Sequence, residues 1–389
     1  MKFIAARLIA ATALALGASG ALAQTQGVSK NEIVIGSIQD LSGPVVVYSK
    51  PTSNGMRMRV DEINAAGGIH GRKLKLFIED SGYDPRKAVL AQQKLLQRDK
   101  VFAMLGTLGT PVIAATMPLV LERNLPHLFP LTGAALAYEP VQKNKFQIFA
   151  PYADTVASAT RYLMKQKGYQ KVGIMYQDDD FGLEILRGAE AAVKAEGKKL
   201  CERTNYKRGA TDFSSQIQRL RSAGCDFVVL GTIVRETIGA MATARKLGWN
   251  VEFLGSSASY DNNIPRVGKG AVEGFYAISV QAEIPDYATA NSRLKQWMDD
   301  YKKRFNEDAT LFSTAGYTII DVFARAAEKA GPKLNAETLN AALESLTVPR
   351  DFFGAPEYSF SKTNHLGNRR GKITQIQGGK WVKVTDYLD

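Results

Sequence analysis

The sequence predicts an α/β protein made of two doubly wound, Rossmann-like lobes, and two observations lead to this prediction. Short apolar runs alternate with longer amphipathic stretches, a pattern typical of parallel strands joined by helices. The alternation runs to about residue 150 and then begins again. A chain of 389 residues is also longer than one compact core usually supports, which favours two lobes.

The first series opens with the apolar run 33–38, which predicts a buried strand. A helix with apolar side chains on one face is predicted from about Ser53 to Ala65, and it stops at Gly67-Gly68. The series continues with strands at 74–78, 102–105 and 128–129 and with helices at about 85–98 and 111–123.

The second series begins after Pro151. Its predicted helices span about 154–167, 183–196, 213–223 and 236–247, and its strands span 171–176, 199–205, 227–230 and 252–254. A strand at 274–280 and helices near 287–305, 312–330 and 336–345 follow. The chain ends in short β segments at 358–360, 372–377 and 380–384, and Gly378-Gly379 predicts a hairpin between the last two.

The first residues have the composition of an export signal. Lys2 and Arg7 give a positive start, an apolar run follows, and Ala21-Leu22-Ala23 is the small-x-small pattern of a cleavage site. The apolar run of roughly 15 residues is shorter than the ~20 that a membrane-spanning helix needs. We predict a signal peptide at 1–23 and a periplasmic mature protein. An uncleaved membrane anchor is the alternative.

The distribution of charge along the chain bears on which partners the protein can bind. The net charge is +12, but Lys and Arg are scattered among Asp and Glu rather than clustered, so no nucleic-acid partner is expected.

The two cysteines, Cys201 and Cys225, can form a disulfide in an oxidising compartment. Two buried free thiols remain an equally open alternative.

No catalytic constellation is apparent. The three histidines, His70, His127 and His365, lack the spacing of metal ligands, and neither a nucleophile elbow nor a phosphate loop is present. The acidic run at 178–180 is better explained as a turn before a helix than as a metal cluster. We therefore expect no catalytic residue, no metal, no cofactor and no enzymatic activity.

Several segments, in order along the chain, resemble the leucine/isoleucine/valine-binding protein family, the amino-acid branch of type I periplasmic binding proteins. The most specific is Asn64-Ala65-Ala66-Gly67-Gly68-Ile69. The others are Ile35-Gly36 with Leu41-Ser42-Gly43-Pro44, Glu79-Asp80 with Asp84-Pro85, Val172 to Tyr176 with Asp180-Phe181-Gly182, Phe353-Gly354, and Gly379-Lys380-Trp381.

The resemblance implies a Venus-flytrap receptor that passes a solute to the permease of an ABC importer and acts as a monomer. Its first lobe would comprise 24–148 and 281–348, its second 149–276 and 353–389, with hinge crossings near 147–152, 274–282 and 347–355. A sensor that feeds a chemoreceptor or a kinase is the alternative. A periplasmic amide or ester hydrolase has less support.

The predicted ligand site begins at two strand ends in the first lobe. In open α/β sheets ligands bind outside the carboxyl ends of strands, where backbone N–H groups and helix starts favour anions. The loops at 106–111 and 129–134 follow such ends, and ordinary helix capping is the alternative explanation of their small residues. The candidates are Leu108, Gly109, Thr110, Thr132, Gly133 and Ala134, with Thr110 and Thr132 as hydroxyl donors to a carboxylate.

The resemblance adds aromatic candidates, Tyr48 from the first lobe and Phe181 from the second, and Tyr152 lies beside the first predicted crossing. Core packing is the alternative for each of these rings. Further second-lobe candidates are Val234, Arg235, Ser257 and Tyr260.

The second-lobe loops depart from the family pattern. Where the resemblance implies an acidic partner for a ligand ammonium, this chain has Ser257, with Asp261 as a possible substitute. Arg235 is expected to hold a second carboxylate, or else to pair with Glu236 or Asp261. The predicted ligand is a small carboxylate-bearing solute. An aromatic or aliphatic organic acid fits better than a branched-chain amino acid.

Overall fold

The computed structural model describes residues 25–281 and 286–388, and they form two α/β lobes around two large sheets. The predicted signal peptide lies outside the described residues. Among the residues described, no helix combines the length and the apolar character needed to cross a membrane.

The first lobe is built on a five-stranded, fully parallel sheet in the order β2-β1-β3-β4-β5. Its strands are β1 (Glu32–Gln39), β2 (Lys73–Asp80), β3 (Ala103–Leu105), β4 (His127–Leu128) and β5 (Lys145–Phe146). Its helices are α1 (Val46–Ala65), α2 (Pro85–Gln97) and α3 (Thr110–Leu121).

The second lobe is built on a seven-stranded sheet in the order β14-β13-β10-β9-β8-β6-β7, in which only β13 and β14 run antiparallel to their neighbours. Its strands are β6 (Val172–Gln177), β7 (Arg203–Tyr206), β8 (Phe227–Gly231), β9 (Glu252–Gly255), β10 (Tyr276–Ser279), β13 (Lys372–Gln377) and β14 (Lys380–Lys383). Its helices are α4 (Tyr152–Lys167), α5 (Asp180–Ala195), α6 (Ser214–Ser222), α7 (Val234–Lys246) and α8 (Asn263–Gly268).

Three further helices follow β10: α9 (Ser292–Phe305), α10 (Leu311–Ala330) and α11 (Ala336–Leu343). The short strands β11 (Thr347–Val348) and β12 (Tyr358–Ser359) pair with each other. Helix α10 packs against α1, where Gly55 faces the backbone of Ser313 and Gly316 faces that of Thr52. A side chain at either glycine would overlap the facing backbone, so this close crossing requires both glycines.

Several elements differ from the sequence prediction: β5, β11 and α8 were not predicted, and α9 begins at Ser292 rather than near residue 287. Helix α1 begins at Val46 rather than near Ser53, and Pro51 lies inside it. Pro51 is the sixth residue of this helix, so α1 lacks the hydrogen bond that an N–H at this position would donate to the Val47 carbonyl. Strand β7 begins at Arg203 rather than at residue 199, although the Cys201 N–H already donates to the Val172 carbonyl of β6.

The chain passes between the two lobes after β5, after β10 and between α11 and β13. The fold is therefore the pair of doubly wound lobes that the sequence predicts. The proposed lobe boundaries and the residue ranges of the hinge crossings stay a prediction.

Cys201 and Cys225 are joined by a disulfide, with their Cα atoms 6.0 Å apart. The bond links the segment before β7 to the segment before β8, and Cys225 is buried against the core of the second lobe. The two buried free thiols considered from the sequence are therefore not what the structure shows.

We expect the double substitution Cys201→Ala/Cys225→Ala to lower the free energy of unfolding by about 3 kcal/mol, because the bond closes a loop with a sequence separation of 24. Urea unfolding followed by circular dichroism measures this loss. Dithiothreitol should lower the stability of the wild type by a similar amount and leave the variant unchanged. Equal unfolding midpoints for the wild type and the variant would contradict the prediction.

Candidate functional site

A cleft with an empty volume of about 700 Å³, part of it open to solvent, lies between the two lobes. It is bordered by the loops at the carboxyl ends of β3, β4, β8 and β9 and by the segments that cross between the lobes. The lining residues are Val45, Tyr48, Tyr83, Leu108, Gly109, Thr110, Leu131, Thr132, Gly133, Phe149, Tyr152, Phe181, Ile233, Ser257, Ala258, Tyr260, Ile278, Val280, Gln281, Leu311 and Phe312.

The first-lobe wall offers hydrogen-bond donors from two loops. Thr110 is the first residue of α3, and its hydroxyl lies 2.8 Å from that of Thr132, which also accepts from the N–H of Ala134 at 3.1 Å. Two hydroxyls joined by one hydrogen bond keep one O–H hydrogen for another acceptor, and the Tyr152 hydroxyl is such an acceptor beside Thr132. Within the described parts of the chain, the Thr110 N–H has no backbone acceptor, whereas the Gly133 N–H is directed at the Tyr152 hydroxyl. Together with the positive end of α3, these groups favour an anion.

Aromatic rings form facing walls of the cleft. Tyr48 stacks on Phe312 with a centroid distance of 4.4 Å on the first-lobe side. Tyr152 and Phe181 pack edge to face at 5.4 Å on the other side. Burial raises the pKa of Tyr152 to about 12, so its hydroxyl is neutral at physiological pH. A flat or branched apolar group can be enclosed between these ring pairs.

The Tyr48 hydroxyl connects the two lobes directly. It donates to the carbonyl of Ala258 at 2.7 Å and accepts from the N–H of Val234 at 3.2 Å. Burial raises the pKa of Tyr48 well above its ordinary value, so the hydroxyl keeps the hydrogen that it donates.

Tyr83 makes a second connection between the lobes. Its carbonyl accepts from Arg208 Nη1 at 2.7 Å, and the Arg208 guanidinium lies over the Tyr83 ring, 5.0 Å from the centroid. Arg208 also pairs with Asp179 at 3.2 Å. The backbone of Tyr83 has a φ of 58°, and its ring lies against Gly109, where a Cβ atom would overlap it.

The described lining contains no charged side chain. Two buried acids stand behind the second-lobe wall. Glu236, 1% exposed, accepts from Arg235 at 2.8 Å, and Asp261, 3% exposed, accepts from the N–H of Asn263 at 2.7 Å. Burial raises the pKa of Asp261. In the described part of the chain, no group of three His, Cys, Asp or Glu residues is arranged to hold a metal ion.

The family profile described as "Periplasmic binding protein" matches residues 32–380. The chain belongs to the periplasmic binding protein family. It is therefore a binding protein and not an enzyme, in agreement with the sequence prediction.

Relatives and solved structures agree with this assignment. The chain is 25% identical over 341 residues to a leucine-, isoleucine-, valine-, threonine- and alanine-binding protein of Pseudomonas aeruginosa, covering 86% of this chain and 87% of the relative. A fatty acid ABC transporter substrate-binding protein from Thermomonospora curvata matches with a TM-score of 0.83 and 23% identity, covering 94% of each chain. A solute-binding protein of an ABC transporter from R. palustris in complex with benzoate matches with a TM-score of 0.79 and 16% identity, covering 91% and 96%.

The structure brings most of the predicted site residues to the cleft wall of this binding protein. Those that line it are Tyr48, Leu108, Gly109, Thr110, Thr132, Gly133, Tyr152, Phe181, Ser257 and Tyr260. Whether they bind a ligand stays a prediction.

Three predicted residues do not line the cleft. Ala134 is fully buried at the start of a short 3-10 turn. Val234 reaches the interlobe contact only through its backbone N–H. The Arg235 side chain is 52% exposed and pairs with Glu236, because this nearly buried carboxylate needs a partner. Of the roles considered for Arg235, the structure shows pairing with Glu236 and not a place in the wall.

The residues that sequence reasoning missed come mainly from distant parts of the chain. Phe149, Ile278, Val280 and Gln281 lie on crossing segments, while Leu311 and Phe312 begin α10. The capping box of Thr310 and Ser313 marks that helix start and is the one signal that could have drawn attention to it. The other missed residues are Val45, Tyr83, Leu131, Ile233 and Ala258.

Gly109→Ala should destabilise the binding protein more than Gly67→Ala. Both glycines have positive φ, 97° and 105°, so alanine at either costs about 1 kcal/mol in backbone strain. Only at Gly109 would the new methyl group meet another side chain, the Tyr83 ring, whereas Gly67 faces open space. We expect an additional loss of about 1–3 kcal/mol, measured by urea unfolding. Equal losses for the two variants would show that the Tyr83 ring is not tightly held.

Proposed function

We propose that this binding protein takes up a small solute with a carboxylate at one end and an apolar body, and delivers it to the permease of an ABC importer. Export to the periplasm, with cleavage after Ala23, is part of the proposal. The observation that carries it is the first-lobe group of donors: the Thr110 N–H, which has no backbone acceptor among the described residues, beside the Thr110–Thr132 hydroxyl pair at the start of α3.

Charge considerations support a carboxylate bound at the first lobe. No described lining residue is charged, so an anion there meets no repelling acid. Backbone N–H groups at strand tips and helix starts are fixed donors, and hydrogen bonds to an ionised acceptor are the stronger ones. The ligand names of the similar proteins are consistent with this, because amino acids, a fatty acid and benzoate all have a carboxyl group.

The proposed mechanism is lobe closure on the ligand. The carboxylate docks on the Thr110 and Thr132 loops of the first lobe, and the apolar body then meets Phe181 and Ile233 of the second lobe. A ligand shifts the open–closed equilibrium only by the contacts that it gains in the closed arrangement. The permease would recognise the closed surface. Loss of uptake of the radiolabelled acid on deletion of the gene, restored by the wild-type gene, tests delivery.

Isothermal titration with 3-phenylpropanoate and with its amide tests the need for a carboxylate. The two compounds have nearly the same shape and differ in charge. We expect the acid to bind and the amide to be weaker by at least about tenfold, since the amide has no ionised acceptor. At 100 times its dissociation constant the acid should also stabilise the protein by about 2.7 kcal/mol in thermal unfolding. Equal binding of the acid and the amide would refute the proposal.

Thr132→Val should weaken binding of the acid by about 30-fold, because it removes a hydroxyl of the donor group while keeping the volume of the side chain. Thr116→Val is the matched control. Thr116 is fully buried in the same lobe, and its hydroxyl donates to the carbonyl of Val112 within α3, away from the cleft lining. Titration calorimetry on both variants decides the matter, and an equal effect of the two substitutions would contradict a role for Thr132.

A further inference from the structure

The Tyr48 side chain extends from the first lobe to the second, where its hydroxyl both donates and accepts a hydrogen bond. The hydroxyl donates to the Ala258 carbonyl and accepts from the Val234 N–H, at 2.7 and 3.2 Å. Tyr48 belongs to α1 and both partners belong to the second lobe, so the side chain of one lobe satisfies the backbone of the other.

These two backbone groups would otherwise be available to a ligand. Val234 is the first residue of α7, so its N–H has no acceptor within the helix. The Ala258 carbonyl is an acceptor beside it on the cleft wall. An amino group or another polar substituent of a solute would be the natural partner of such a carbonyl. Tyr48 occupies that position instead.

What remains of the second-lobe and hinge lining is uncharged. Phe181 and Ile233 are apolar, and Ser257 and Gln281 present only a hydroxyl and an amide. An ammonium enclosed there would have no carboxylate beside it. Burying an unpaired charge costs much more than burying an apolar group of the same size.

The nearby acids do not replace the missing partner. Glu236 accepts from Arg235 through Oε1, while its Oε2 is buried without a partner in the described part of the chain, and Asp261 accepts from the Asn263 N–H. Both carboxyl groups are almost completely buried. Neither acid is among the described residues that line the cleft, so neither faces a ligand enclosed there.

We infer that Tyr48 sets the ligand class: by bonding Val234 and Ala258 itself, it takes the place of a ligand amino group and makes the cleft selective for monocarboxylates that have no ammonium. This inference rests on the proposed function of binding a carboxylate. The rings of Phe312 in α10 and Phe181 in α5 both line the cleft, so aryl-alkyl and branched aliphatic acids fit the class.

Pairs of ligands that differ only in the amino group test the inference. Titration calorimetry compares 3-phenylpropanoate with L-phenylalanine and 4-methylpentanoate with L-leucine. We expect the amine-free acid of each pair to bind at least about 100-fold more tightly. Tighter binding of the amino acids would overturn the inference while leaving the proposed carboxylate site intact. Absence of binding by all four compounds would overturn both proposals.

Tyr48→Phe tests the role of the hydroxyl, because it keeps the ring that stacks on Phe312 and frees the two second-lobe groups. The amine-free acid should bind about 5–10-fold more weakly, since two interlobe hydrogen bonds are lost. L-Phenylalanine can then donate to the Ala258 carbonyl, so the preference for the amine-free acid should fall below about tenfold.

Tyr206→Phe is the matched control for this substitution. The Tyr206 hydroxyl is buried inside the second lobe, 3.5 Å from Gln177 Oε1 and from the Gly231 carbonyl, and does not line the cleft. We expect this variant to keep the wild-type preference within about twofold, and thermal unfolding confirms that both variants are folded. If Tyr48→Phe changes the preference no more than Tyr206→Phe does, the assignment of Tyr48 as the selective residue is overturned.

Discussion

The cleft depends on a constraint of parallel sheets: each strand must be followed by a crossover, so its carboxyl end always opens into a loop at the same edge. In the first lobe β3 and β4 open into the loops that contain Gly109 and Gly133, and in the second lobe β8 and β9 open into those of Ile233 and Ser257. Because both sheets turn this edge towards one gap, loops from distant parts of the chain meet there. The N–H groups at strand tips and helix starts become available to a solute, while the sheets themselves stay apolar.

The packing of α10 against α1 positions Tyr48, one of the residues that connect the two lobes. Helix α10 crosses α1 so closely that only glycine fits at positions 55 and 316. This crossing brings Phe312 beneath Tyr48, where the two rings stack. Stacking on Phe312 orients the Tyr48 ring so that its hydroxyl reaches Val234 and Ala258 of the second lobe. Helix α10, which returns to the first lobe, therefore contributes Phe312 to the cleft as well as packing the lobe.

The fold was predictable because it follows from local patterns, whereas the site was predictable only in part. Strand ends followed by small residues pointed to Gly109 and Thr132, and the signal for each lies within a few residues of sequence. Tyr83 carries no such signal, since its place depends on a backbone with positive φ and on Arg208 in the other lobe. The sequence left two roles open for Arg235, and it could not show that Glu236 is buried and pairs with it, because burial of a charged side chain is a tertiary property.

A cleft without charged side chains couples closure to the shape of the ligand. In the proposed mode of binding the carboxylate docks on loops of the first lobe, so docking by itself gives no reason for the lobes to close. The second lobe adds mainly apolar contacts from Phe181 and Ile233, and these are worth about 25 cal/mol for each Å² removed from water. An acid with a very short body can bind the first lobe and still leave Phe181 uncovered. The length and width of the apolar body, rather than the strength of the carboxylate contact, therefore determine whether the Tyr48 hydrogen bonds form while the ligand is bound.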